Sequence, residues 1–331
     1  MKVRLKIYSQ EQISNFVKTK NKETKFGEKV GVLAHSDLDT GLQNSTAKYV
    51  LVGIPNQNDG KKDTVWQILL EQLLNTQNNS FNKGKKLLVL GHLDFSDVFS
   101  AIDALDMTTK EDHETLHLLL QEIDRELTNI AYTIIKNGKK PIIIGYRDFY
   151  GYALTKGCAL ALNKAVNVIN FDTYSDFGKN DKRNYENAFS YGFYEGFINK
   201  YYMFGLREKS IPKKTFKEIM EHHDKLSFNT FESIEIEKES SFSDELIKVW
   251  GFIKNRKFGL HIDCKNIQHT FNEGIFSSGF SVNQTRQLTA HFSRSKKATY
   301  LCISEVDFRS NQGHFKNQLG NILAHLISDF I

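Results

Sequence analysis

The sequence predicts an α/β protein: a mainly parallel sheet of about eight strands, sandwiched between helices to give three layers. Three observations carry this reading. Short apolar runs alternate with helical stretches along most of the chain, which indicates a parallel sheet. The runs lack strict in–out alternation, as expected of strands buried on both faces. Three of them lead into carboxylates: Ile142-Ile143-Ile144-Gly145-Tyr146-Arg147-Asp148, Val168-Ile169-Asn170-Phe171-Asp172-Thr173-Tyr174-Ser175-Asp176 and Leu260-His261-Ile262-Asp263-Cys264-Lys265. In an open α/β sheet the carboxyl ends of the strands face the functional crevice.

The elements follow in order. Met1–Lys6 alternates like a strand and lacks the apolar core of a signal peptide. Residues 9–45 are polar and irregular, so residues 1–45 are expected to form an extension packed on a single domain spanning 1–331. Strands are expected at Lys48–Ile54, Lys86–Leu90, Pro141–Gly145, Val166–Asp172, Tyr201–Leu206, Leu226–Phe231, Phe258–Asp263 and Thr299–Val306. Helices are expected at Thr64–Leu74, Phe149–Leu162, Thr215–His222, Ser243–Asn255, Val282–Phe292 and His314–Phe330. The clearest helix is Asp112–Lys136, where Leu116, Leu119, Leu120, Ile123, Leu127, Ile130, Ile134 and Ile135 recur at helical spacing. Asn56–Lys62 and Asn75–Lys86 read as surface loops. Only three prolines interrupt the chain.

Composition narrows the function classes. With 331 residues, 40% hydrophobic and 25% charged, the chain is long enough for one large core. No run of 18 apolar residues occurs, so no membrane span is expected. Cys158, Cys264 and Cys302 fit no disulfide or zinc spacing, which points to a reducing, cytoplasmic setting. The net charge of +5 comes from lysines scattered through the sequence, among them Lys139, Lys140, Lys296 and Lys297. They read as solvated surface. Phe and Tyr lie mostly within apolar runs and form no basic-aromatic platform, so no nucleic-acid partner is expected.

The chemistry is concentrated at the strand ends. Asp172, Tyr174 and Asp176 are spaced by two, as are His261, Asp263 and Lys265, so each set could share a face. Asp148, Asp172, Asp176 and Asp263 in one crevice would make a set of hard oxygen donors suited to a divalent cation. Such a set needs its charge offset by a cation, by Lys265 or Arg147, or by protons. A plainer reading stands beside this one. Aspartates at strand ends often cap helices, and Arg147, Tyr174 and Lys265 would also fill a closed pocket with salt bridges.

The order and spacing of these segments resemble the ureohydrolase superfamily of arginase, agmatinase and formimidoylglutamase. Gly145-Tyr146-Arg147-Asp148 stands where that family has Gly-Gly-x-His, and Asp172-Thr173-Tyr174-Ser175-Asp176 where it has Asp-x-His-x-Asp. His261-Ile262-Asp263-Cys264-Lys265 stands for Ser-x-Asp-x-Asp, and Ser304-Glu305-Val306-Asp307 for the late segment. Asn187-Ala188-Phe189-Ser190-Tyr191 is similar to the formimidoylglutamase branch. The resemblance runs from roughly Lys48 to Ile331 and implies the arginase-like α/β/α fold.

The resemblance also implies a site. The family binds two manganese ions through six side chains, with a bridging water or hydroxide as nucleophile. Carried over by position, Asp172, Asp176 and Asp263 keep the ligand type, while Asp148 and Tyr174 replace histidines and Lys265 replaces an aspartate. One metal position retains only oxygen donors: Asp148, Asp172, Asp176 and Asp263. The other falls on Tyr174 and Lys265, and an ammonium cannot ligate. Glu305 keeps the carboxylate that orients an amidine or guanidine, and Arg147, His261 and Asn187 are expected around the pocket.

Three functional expectations follow. The first is a family member with a degenerate dinuclear centre, lacking arginase-type activity and binding a small guanidino or amidino ligand. The second is a hydrolase of linear amidines that uses one Mn²⁺ or Mg²⁺. The third is a structural or regulatory subunit, since family members assemble as homo-oligomers. The cofactor is then either one such ion or none.

Overall fold

The protein is described from a computed structural model covering residues 4–20, 22–35, 37–56, 64–178, 182–268, 278–306 and 313–331. Nine strands make one sheet: β1 (Leu5–Ile7), β2 (Tyr49–Ile54), β3 (Leu87–Leu93), β4 (Lys140–Gly145), β5 (Val166–Phe171), β6 (Ile198–Leu206), β7 (Leu226–Thr230), β8 (Phe258–Asp263) and β9 (Ala298–Ser304). Their order across the sheet is β1-β3-β2-β4-β9-β8-β5-β6-β7. Every pairing is parallel except that of β1 with β3.

The expected eight strands are all present, and β1 is a ninth. It exists because β3 runs on to Leu93 instead of stopping at Leu90. The continuation passes through Gly91, at φ +130°, where a Cβ would lie 1.9 Å from the Lys6 carbonyl. Only glycine admits that approach. Leu5 then pairs with Leu93.

The helices fall into two layers because alternate strand residues face opposite ways. Leu51, Val89, Ile144, Phe171, Ile262 and Ile303 pack on one layer, formed by α3 (Val65–Leu74), α9 (Phe242–Ile253), α10 (Val282–Ser293) and α11 (Gly313–Phe330). Val50, Val52, Leu88, Ile143 and Tyr300 pack on the other, against α4 (Ser96–Asp103), α5 (Lys110–Lys136) and α6 (Gly151–Leu162). Val168, Tyr201 and Met203 continue that second face under α7 (Ala188–Tyr194) and α8 (Lys213–Glu221). Two short helices, α1 (Gln10–Ser14) and α2 (Leu38–Asn44), lie in the polar leading segment, where Ile13, Phe26 and Leu42 are nonetheless buried.

Helix α5 begins two residues earlier than its apolar periodicity suggests. The Thr109 side chain accepts the Asp112 N–H and caps the exposed donors of the first turn. No helix among the described residues is long and apolar enough to cross a membrane. The Asn56–Lys62 loop lies almost entirely outside the described residues, as does Asp307 of the late segment.

Two consequences of topology matter below. Strands β4, β9, β8 and β5 are direct neighbours, so segments far apart in sequence deliver their carboxyl ends to one place. At the opposite end, Lys48, Lys86, Lys140, Lys164, Lys225, Lys257 and Lys297 each stand at or within two residues of a strand's start.

Candidate functional site

The site opens at the carboxyl ends of β4, β9, β8 and β5. Asp148 follows β4, Asp172 follows β5 directly, Asp263 closes β8 and Glu305 follows β9. Lys265 sits in the tight turn after β8, whose first donor is capped by Asp263: Oδ1 accepts the Lys265 N–H at 2.6 Å. Asp172 Oδ1 similarly accepts the Tyr174 N–H at 3.0 Å, and its Oδ2 accepts from Asn170 Nδ2 at 3.3 Å. Asp176 and Glu305 both have left-handed backbones, with φ of +45° and +55°. That region is costly for residues with a Cβ and is typical of functional sites.

Lys265 is central to the electrostatics. Its Nζ lies 3.1 Å from Glu305 Oε2 and 3.7 Å from Asp148 Oδ2. Burial alone would pull the ammonium down, but Asp263, Asp148 and Glu305 outweigh it and push the group above its ordinary value. It is therefore charged. The acids move up instead. Burial and the Asp148 charge raise Glu305 to about 7, against the pull of Lys265. Burial likewise raises Asp172 to about 6, against the Tyr174 N–H. Asp176 and Asp263 rise well above the usual carboxylate range through burial and the nearby Asp172. Among the described residues, Asp263 Oδ2 is buried without a hydrogen-bond partner.

A cavity of about 370 Å³ opens over this cluster, lined in part by Asp148, Tyr174, Asp176 and Lys265. Tyr185, Glu186, Ser210, Pro212 and Thr215 also line it. These belong to the segments after β5 and β6 and carry no sequence pattern that announces them. What fixes the first segment is a buried ion pair. Arg183, 1% exposed, reaches Asp124 of α5 through Nε at 3.0 Å and donates to the Phe149 carbonyl.

Three residues expected around the pocket do other work. Arg147 pairs with Asp103 of α4 and lies 4.8 Å from the centre of the Tyr146 ring. His261 is buried: its Nε2 is 3.0 Å from the Tyr300 hydroxyl, and Phe189 packs edge-on at 4.9 Å. Burial pushes it down to about 3, so it is a neutral core histidine. Asn187 clamps the loop before α7, its Oδ1 accepting the Asn184 N–H at 2.8 Å and its Nδ2 donating to the Lys182 carbonyl at 2.6 Å. Each of the three is engaged by these partners, and none of them lines the cavity.

A nine-stranded α/β/α sandwich with acids on four adjacent strand ends defines the class of protein. The sequence model of the Arginase family matches residues 92–264, more than half of the chain. The chain belongs to the arginase family. Its fold is similar to formimidoylglutamase from Bacillus subtilis, with a TM-score of 0.69 at 13% identity over 94% of this chain and 93% of that one. It is similar to Trypanosoma cruzi formiminoglutamase with Mn²⁺, at a TM-score of 0.67 and 14% identity over 93% and 98% of the two chains. A hypothetical agmatinase from Burkholderia thailandensis gives a TM-score of 0.64 at 14% identity, over 86% of this chain and 85% of that one. No curated protein sequence matches the chain.

Two residues at this end of the sheet are poor ligands for a metal ion. Lys265 brings an ammonium into the cluster, and an ammonium has no lone pair for a metal. Tyr174 is 41% exposed and carries a phenol where an imidazole would be the better donor. Among the described residues, no group of three or more His, Cys, Asp or Glu side chains is placed to hold a metal ion.

Proposed function

We propose that this chain is an arginase-family protein whose dinuclear centre has degenerated, and that the strand-end cavity binds a small guanidino or amidino cation without hydrolysing it. The position of the Lys265 ammonium, between Glu305 and Asp148, carries this reading. It supplies the positive charge the buried acids need, yet it cannot activate water as a metal does. Without an activated nucleophile, water attack on a resonance-stabilised guanidinium is very slow. The cavity still favours a cation. Asp148, Asp176 and Glu186 line it against one ammonium, Lys265, and two aromatic residues, Tyr174 and Tyr185, share the wall.

Elemental analysis after incubation with excess Mn²⁺ and desalting tests this. The expected content is no manganese, with no urea or formamide released from arginine, agmatine or formimidoylglutamate. Agmatine or arginine is expected to raise the melting temperature. At 100 times its Kd a ligand adds about 2.7 kcal/mol. Two ions per chain would overturn the reading.

One observation favours a second reading. Among the described residues Asp263 Oδ2 has no hydrogen-bond partner, and one hard cation would satisfy it. One manganese per chain, with amidine hydrolysis, would establish this mononuclear alternative. The triple substitution Asp148→His, Tyr174→His, Lys265→Asp restores the family ligand types and is expected to gain manganese binding. If it folds and gains none, the assignment of these positions is wrong.

A further inference from the structure

The opposite end of the sheet carries an independent inference. Strands β5 and β8 are neighbours, and their starting turns enclose a cavity of about 300 Å³. Lys164, Arg256, Lys257 and Lys297 line it. Three of the four are tethered to main-chain carbonyls. Arg256 Nη1 donates to Ala165 O at 3.1 Å, Lys257 Nζ to Lys296 O at 2.8 Å, and Lys297 Nζ to Lys254 O. The tethers hold the cations in place and leave further donors for a ligand. Among the described residues none of the four forms an ion pair with a carboxylate. Some other surface lysines are neutralised by a neighbouring carboxylate, Lys217 by Glu221, Lys238 by Glu235 and Lys248 by Glu245.

The charge is also crowded. Lys140, at the start of β4, is pushed down to about 8 by burial and by the charges of Lys48 and Lys257. Lys257, which lines the cavity, is one of the two lysines responsible, and an anion beside it would offset that repulsion. Leu162, Ala165 and Val166 supply an apolar wall to the same cavity. Four cations are more than a single carboxylate requires, and the guanidinium fork matches phosphate geometry.

We propose that this cavity at the amino end of the sheet binds a small molecule carrying two or more phosphate groups. The assignment does not depend on what the carboxyl-end pocket does.

The test is calorimetric titration of the full chain with inorganic pyrophosphate and, separately, with a nucleoside diphosphate, against sodium chloride at matched ionic strength. The expected result is saturable binding near one per chain, weakened at least tenfold in the exposed-site variant Lys164→Ala, Lys257→Ala, Lys297→Ala. The control variant Lys213→Ala, Lys214→Ala, Lys217→Ala is expected to bind as the parent does. Tighter binding of the nucleoside diphosphate would show that the apolar wall is used, and equal binding that the phosphates suffice. The proposal is overturned if neither compound binds, if the first variant binds unchanged, or if both variants weaken equally. A duplex DNA oligonucleotide binding more tightly than pyrophosphate would also overturn it.

Discussion

The two ends of this sheet handle charge in opposite ways. At the carboxyl end, Asp172, Asp176, Asp263 and Glu305 are buried around Lys265, so opposite charges meet and the acids take up protons. At the amino end the lysines are mostly exposed, share one sign and are tied to carbonyls. Burial makes a charge choose a partner or lose its charge, because the low-dielectric interior penalises an unpaired ion. Solvent exposure lets like charges coexist at a smaller cost. The carboxyl end therefore offsets much of its charge internally, and the amino end has positive charge left over for a ligand.

The largest expected effect comes from Lys265. Lys265→Met should destabilise the protein by about 2–4 kcal/mol at neutral pH, because acids that are mostly buried lose their cation. The loss should shrink at pH 5, where those acids hold protons. Urea unfolding at the two pH values measures both. A loss under ~0.5 kcal/mol would place Lys265 among ordinary surface residues and break the contrast.

Next in size is the acid limb of the stability profile. Asp172 titrates at about 6 and Glu305 at about 7 in the folded chain, above an unfolded carboxyl. The folded state binds these protons more tightly. Their stabilisation is complete below about pH 4 and is lost as the pH climbs through 7, on the order of 2 kcal/mol after screening. Unfolding midpoints of chelator-treated protein across that window would show the slope. A flat or rising profile would mean that the acids are not buried together.

The amino end should slope the other way and less steeply. Lys140 sits at about 8 when folded, below an unfolded lysine. The folded state sheds this proton first, so stability rises from pH 8 towards 10 by about 1 kcal/mol. Lys140→Met should flatten that rise. The smallest effect belongs to Tyr174→Phe. Its side chain is 41% exposed, and the stability change should stay within ~0.5 kcal/mol.

Much of this was legible beforehand. The strand expected at Phe258–Asp263 is β8 residue for residue, and the others fall within a few residues of their expected bounds. A short apolar run bounded by charge is a local signal, and burial on both faces is what makes it a strand. The acids were legible as strand-end residues for the same reason. Tyr185 and Glu186 were not, because these loop residues reach the cavity through the Arg183–Asp124 anchor and not through any periodicity. Arg147 and Asn187 stand beside the site in sequence but turn to Asp103 and to the loop backbone.

The sequence by itself determined the layers, the strands and which residue types stand at each strand end, since these follow from short-range hydrophobic pattern. Only the tertiary structure decided which ends meet. Long-range pairing set the order β4-β9-β8-β5, and with it placed Lys265 between Glu305 and Asp148. The same pairing gathered lysines that look scattered along the chain into one face around Lys140 and Lys257. Charge interactions depend on distance and burial in space, and neither is encoded in separation along the sequence.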